Sequence, residues 1–210
     1  MDFEQVVSTL KSSLAGPLPG QTAQMRFSPR PINQKRFGSN LPIGHRKGAV
    51  LILIYPQAGE AYLPLIKRPE YPGVHSGQIA LPGGKMDATD PDLIFTALRE
   101  AEEEVAVKPN QVEVLGSLTD LFIPASNFLV SPVVGVSREI PDFYPEEREV
   151  QRIIQMKVAQ LMSPATQKQT LLDMGNQIQL DTPYFEIENE MVWGATAMIL
   201  SELLCMIQPE

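Results

Sequence analysis

GGKMDATDPDLIFTALREAEEEVAV, Gly83 to Val107, sets a glycine pair, an aspartate-rich loop and a carboxylate-laden helix end to end. Leu93 to Val105 reads as the helix, because Ile94, Ala97, Leu98, Ala101 and Val105 recur at helical spacing and form an apolar arc for a core. Pro91 suits its first turn. With Glu100 set to zero and about 100° of rotation per residue, Glu104 falls at about 40° and Glu103 at about −60°. These carboxylates share one side of the helix, beside the apolar arc, while Glu102 points away toward solvent. Crowded like charges are unfavourable unless something positive sits among them. Arg99, one turn before Glu103, offsets part of the repulsion, and a divalent ion would offset more. Oxygen-only ligands select hard cations, so magnesium or manganese is expected rather than zinc or copper. Gly83-Gly84 allows close backbone approach and offers carbonyls and amides to the same ion or to a phosphate. Taken alone, a Glu-rich helical face is most often a solvated face and Gly-Gly a turn. The joint spacing of loop, acidic segment, Arg-Glu and Glu-Glu is what turns the reading toward a site.

Around this segment the chain alternates strands and helices. Phe3, Val6, Val7, Leu10 and Leu14 predict an amphipathic helix over residues 2–14. Gly16 to Gly48, rich in Pro, Gly and polar residues, reads as a connecting arm without firm structure. Strands are expected at Ala49–Tyr55 and Ala61–Lys67, joined by a turn at Gln57-Ala58-Gly59, with a short strand at Ile79–Leu81. Further strands are expected at Val112–Leu118, Val130–Val136, Tyr184–Ile187 and Gln177–Leu180. Val150–Met162 is ambiguous between helix and strand, and Gly194–Met206 is an apolar closing helix. Glu146, Glu147 and Glu149 mark an acidic loop. This mixture predicts an α/β sandwich around a mixed β-sheet.

Composition narrows the function. A net charge of −8 in 210 residues argues against nucleic acid as a partner, because phosphate backbones select basic surfaces. It leaves room for a small phosphorylated substrate screened by a divalent cation. Two histidines, His45 and His75, cannot build a three-histidine zinc site. The 43% hydrophobic content allows a sizeable core, and no apolar stretch approaches bilayer length. The acidic start Met-Asp-Phe-Glu does not read as a secretory signal. A single cysteine, Cys205, excludes an internal disulfide and is expected buried and inert. A cytoplasmic protein without membrane or nucleic-acid partners is the expectation, with a homodimer left open.

Gly84 to Val107 resembles the Nudix box, whose pattern is glycine, five residues, Glu, seven residues, then Arg-Glu-aliphatic-x-Glu-Glu-x-Gly-aliphatic. Gly84, Arg99, Glu100, Ala101, Glu103, Glu104 and Val107 match it. Asp90 stands where the first Glu should be, the next spacer is one residue longer, and Ala106 replaces the last glycine. Ala106 costs little unless that position needs a positive φ. The resemblance implies a metal-dependent pyrophosphohydrolase with a Nudix-type α/β/α sandwich and an N-terminal helical extension. Residues 1–45 would be the helix and arm, and 46–210 the hydrolase domain. Glu100, Glu103, Glu104 and the Gly84 carbonyl would hold Mg2+ or Mn2+, and Arg99 would hold one carboxylate in place. The general base stays open among Glu103, Glu104, Glu147 and Glu149.

The flanks are similar to the coenzyme A pyrophosphatase branch of that family. LIKRPEYPGVHSGQIALPGG, Leu65 to Gly84, carries Arg68, His75, Gly77, Gln78, Pro82, Gly83 and Gly84 on the branch pattern. SPVVG (Ser131–Gly135) and VWGATAMIL (Val192–Leu200) follow it too, although Trp193 and the apolar run after it are expected in the core. The resemblance implies cleavage of coenzyme A or its derivatives into 4′-phosphopantetheine and adenosine 3′,5′-bisphosphate. Arg68, His75, Gly83 and Lys85 would contact the nucleotide substrate. One departure is Gly73, where the branch has a second Arg. Either Arg68 suffices or a basic residue of the arm (Arg26, Arg30, Arg36 or Arg46) substitutes, since the guanidinium fork suits a phosphate. The departure favours an alternative substrate such as ADP-ribose, NADH or another nucleotide sugar or dinucleotide. A non-catalytic nucleotide-binding module is the remaining alternative, against which Glu100 and Glu104 both stand.

Overall fold

Alternation along one strand decides the layering. In the computed structural model, which describes residues 1–37, 41–71, 76–175 and 179–208, strand β1 (Arg46–Gln57) is buried on both faces. Ile52 and Ile54 turn to one hydrophobic cluster, and Ala49, Leu51 and Leu53 to another. Successive strand side chains point to opposite faces, so β1 is the middle layer of a sandwich. The first cluster takes in helices α1 (Phe3–Leu14) and α4 (Gly194–Ile207). The second is roofed by α3 (Leu93–Val105) through Ala97, Ala101 and Val105. Helices on both faces of the sheet make the expected α/β/α sandwich.

The sheet is mixed. β1 pairs antiparallel with β2 (Glu60–Lys67) and parallel with β7 (Phe128–Val136). β3 (Ile79–Ala80) extends β2, and β4 (Gly83–Lys85) pairs the start of β1, with Ala49 opposite Gly84. β5 (Glu113–Ser117) and β6 (Leu121–Ile123) both pair β7, and β8 (Arg152–Lys157) pairs β2. A smaller sheet holds β9 (Gln167–Asp173), β10 (Gln179–Ile187) and β11 (Glu190–Val192). The ambiguous 150–162 stretch thus divides between strand β8 and a 3-10 turn at Val158–Met162. Of the strand expected at Gln177–Leu180, the first two residues lie outside the described ones, as do Gly73 and His75.

The arm is more ordered than its composition suggests. It contains α2 (Gly20–Met25) and a 3-10 turn at Gln34–Arg36. Its anchor is polar. Buried Glu202 of α4 accepts bonds from the Gly20 and Thr119 amides (3.1 and 3.2 Å), the Thr119 hydroxyl (2.7 Å) and Gln24 Nε2 (2.9 Å). Phe27 stacks on Phe185 of the small sheet with ring centroids 4.1 Å apart. Three further expectations are corrected. Ile94 is exposed, because the α3 stripe is narrower than the arc drawn through it. Pro91 precedes the N-cap Asp92 rather than entering the first turn. Cys205 is half-buried, with Arg26 Nη1 3.4 Å from its sulfur. No helix among the described residues is long and apolar enough to cross a membrane.

Candidate active site

Asp92 caps α3 through the Phe95 amide (2.7 Å), which fixes where the helix begins and which side its carboxylates occupy. Ala97, Ala101 and Val105 bury the core stripe, and Glu104, beside that stripe, is carried in with it at 1% exposure. Its Oε2 accepts the Gly83 N–H at 2.8 Å, and its Oε1 lies 4.0 Å from Arg68 Nη2. Burial pushes its pKa up to about 7; the Gly83 amide and Arg68 oppose the rise, and Glu100 and Glu149 add to it. Glu100, one turn earlier, is half-buried and also raised, first by burial. Glu103 is exposed and bonded to Arg99.

Glycine is required beneath these acids. A Cβ on Gly84 would lie 2.5 Å from the Glu100 carboxyl carbon, and one on Gly48 would lie 2.5 Å from the Gly84 carbonyl oxygen. The backbone of β4 therefore runs directly under Glu100, and its neighbour in β1 must be bare to admit it. Gly83 sits at φ 151°, a conformation that favours glycine. Its amide is committed to Glu104, and a Cβ there would collide with the Ala49 carbonyl oxygen, so β4 lies flush against β1.

Arg99 is the organiser. Its Nε and Nη2 bond the two oxygens of Asp90 (3.0 and 2.9 Å), Nη1 bonds Glu103 (3.0 Å), and Nη2 also reaches Glu100 (3.0 Å) and the Lys85 carbonyl (3.1 Å). The bidentate pair with Asp90 is the strong geometry for a guanidinium. Asp90 is buried, takes further bonds from the Thr96 hydroxyl and Asp87 amide, and is held well below the usual carboxylate range chiefly by Arg99. Sequence reasoning noted Asp90 only as a departure from a pattern. Its role as the main partner of Arg99 was signalled by nothing but its position.

The acidic loop docks onto the end of α3. Glu146 and Tyr144 amides donate to the Glu104 and Val105 carbonyls (3.0 and 3.3 Å), satisfying acceptors that a helix end leaves open. This brings exposed Glu149 close enough to raise the pKa of both Glu100 and Glu104. Thus Glu100, Glu104, Glu149, Gly83, Gly84 and Arg68 come together, with Glu103 on the outer side of Arg99. Lys85 is exposed at the rim, and His75 lies outside the described residues.

Among the described residues no three His, Cys, Asp or Glu side chains form a ready cation cage. The donor set still fits a hard divalent ion. A buried carboxylate that resists charging, a half-buried one paired with Arg99 and the neighbouring Gly84 carbonyl are hard oxygen donors gathered in one place. Glu104 has only a distant guanidinium against its second oxygen.

Arg68 and the glycine pair beneath these acids border a cleft of about 960 Å³ whose walls also include Lys85, Arg36 and Trp193. Trp193, expected in the core, lines this cleft at the N-cap of α4. A smaller hollow of about 430 Å³, lined by Glu113, Arg138 and Glu139 among others, lies away from the acids. There Glu113 and Arg138 are paired with Lys11 and Glu4 of α1.

Comparison with known proteins supplies the family. The NUDIX domain family matches residues 45–170. A Pectobacterium atrosepticum protein called "Uncharacterized Nudix hydrolase NudL" is 36% identical over 185 residues, covering 88% of this chain and 89% of its own. Its Shigella flexneri counterpart of the same name is 38% identical over 171 residues, 79% of this chain and 85% of its own. Among solved structures, a C. elegans Ap4A hydrolase binary complex shares 21% identity at a TM-score of 0.47, covering 54% of this chain and 80% of that one. On the family match and these relatives, the chain belongs to the NUDIX domain family and is a hydrolase of pyrophosphate bonds in nucleotide derivatives.

Proposed function

We propose that this Nudix hydrolase cleaves the pyrophosphate bond of coenzyme A or an acyl-coenzyme A, giving 4′-phosphopantetheine and adenosine 3′,5′-bisphosphate. The observation that carries the proposal is the cleft of about 960 Å³ opening onto Gly83-Gly84, with Arg68 4.0 Å from buried Glu104. That volume is at the upper end for small-molecule sites and suits a long nucleotide derivative. A cytoplasmic location belongs to the same proposal, as does the set of site residues.

Glu100, Glu104 and the Gly84 carbonyl would hold Mg2+ or Mn2+, which when bound neutralises diphosphate charge and lowers the pKa of an attacking water. Arg68 orients a phosphoryl oxygen with its planar fork, and Lys85 adds charge at the rim. Arg99, locked by Asp90 and Glu103, keeps Glu100 over Gly84. Glu149 is our choice of general base. It is exposed, close to both site carboxylates, and free to accept the proton of water as its oxygen joins phosphorus and the bridging P–O bond breaks. The bridging oxygen leaves on the other phosphate.

Gly73, where the coenzyme A branch carries Arg, favours ADP-ribose, NADH or a related dinucleotide as the second reading. Purified protein incubated with magnesium or manganese and this substrate panel, with products read by mass, separates the two. Release of 4′-phosphopantetheine from coenzyme A supports the first. AMP from ADP-ribose or NADH, with coenzyme A intact, selects the second, and turnover of nothing overturns both.

A further inference from the structure

We infer that Arg36, supplied by the N-terminal arm, binds a second anionic group of the substrate, a phosphate monoester held apart from the scissile diphosphate. The inference rests on the reading that the cleft is the substrate site. Arg36 ends the 3-10 turn capped by Asn33, outside the matched family region, and lines the cleft together with Asn33 and Trp193. It is half-buried, and its guanidinium donates to the weakly accepting Met198 sulfur at 4.0 Å.

Three other arginines of the fold are differently placed. Arg99, Arg138 and Arg152 each pair with carboxylates. Arg36 pairs with none among the described residues, and burial alone acts on it, lowering its pKa. A desolvated cation without a counterion is costly, and it persists where an anion is meant to complete it.

Position supplies the second argument. Met198 belongs to α4 and the cluster on one face of the sheet, whereas Arg68 faces Glu104 of α3 on the other. The two guanidinium groups therefore enter one cleft from opposite layers. A ligand with a single anionic centre satisfies one of them. A ligand with two separated centres satisfies both, with the diphosphate at the acidic end and a terminal phosphate at Arg36. The polar anchor of α2 on Glu202 fixes the arm, and with it this cation, against the cleft.

Binding can be measured without turnover. Adenosine 3′,5′-bisphosphate and adenosine 5′-monophosphate, neither of which has a pyrophosphate bond, are titrated calorimetrically into the full-length protein with magnesium present. The wild-type protein is expected to prefer the bisphosphate by on the order of 10- to 100-fold, the range of one charge-assisted hydrogen-bonded contact. Arg36→Met keeps an apolar stem against Met198 and is expected to erase the preference, while Arg36→Lys restores part of it. The KM ratio between coenzyme A and its 3′-dephospho form should change in the same order. No preference in the wild type, or an undiminished preference in Arg36→Met, overturns the assignment. Failure to hydrolyse any panel substrate with the bisphosphate preference intact would remove the hydrolase substrate reading and leave Arg36 standing.

Discussion

Replacing Glu104 by Gln should make the metal-free protein more stable at pH 8 while nearly abolishing catalysis. The Glu104 carboxyl, 2% exposed, titrates at about 7 instead of its ordinary 4.5, so charging it in the fold costs about 3 kcal/mol. Gln keeps an oxygen for the Gly83 amide and removes that charge. It also turns an amide NH2 toward Arg68, which returns about 1 kcal/mol. The net gain at pH 8 is about 2 kcal/mol, or about 4–8 °C in Tm for a chain of this size.

The sign follows from linkage. Because folding raises this pKa, the group favours the folded state below 4.5, and that advantage is lost as pH rises through about 7. At pH 5 the wild-type carboxyl is already mostly protonated, so the two proteins should melt nearly together. Thermal unfolding in EDTA at pH 5 and pH 8 measures the difference, and millimolar magnesium should then raise the Tm of wild type but not of Glu104→Gln. An equal Tm difference at both pH values, or a less stable variant at pH 8, would refute the reasoning.

Gly84→Ala should lower turnover by at least about 100-fold, because its Cβ occupies the place of the Glu100 carboxylate; retained activity would show that Glu100 need not sit there. Ala106 closes α3 at φ 60°, a left-handed conformation, so Ala106→Gly should stabilise by about 1 kcal/mol in urea unfolding with kcat unchanged. Asp90→Asn should loosen Arg99, lowering both Tm and kcat. Its stabilising share in wild type is present above the ordinary Asp value of 3.8 and lost as pH falls further, which an acid unfolding curve of the two proteins reads directly.

Helix α3 was legible in its bounds, because an apolar stripe and clustered acids specify one helix, although its cap, Asp92, came only with the structure. Ala106 is instructive in another way. Its missing glycine looked inexpensive, and the structure puts it where a glycine belongs. Asp90 escaped because an aspartate in a polar loop carries no periodic signal, and only the fold brings it to Arg99 nine residues later. The arm escaped for a related reason. Its anchor is a polar network of Gln24, Thr119 and Glu202, far apart in the chain, and hydrophobic patterning does not see such bonds. Strands β6, β9 and β11 are too short or too polar to stand out, and β9 is largely exposed. The influence of Glu149 on Glu100 and Glu104 escaped too, because it depends on the acidic loop docking on the end of α3.

The most direct test is anomalous diffraction at the manganese edge from crystals soaked in millimolar Mn2+. A peak at about 2.0–2.6 Å from carboxylate oxygens of Glu100 and Glu104 and from the Gly84 carbonyl is the expected result. A data set showing no manganese beside Gly84, with both side chains turned from it, would contradict the account.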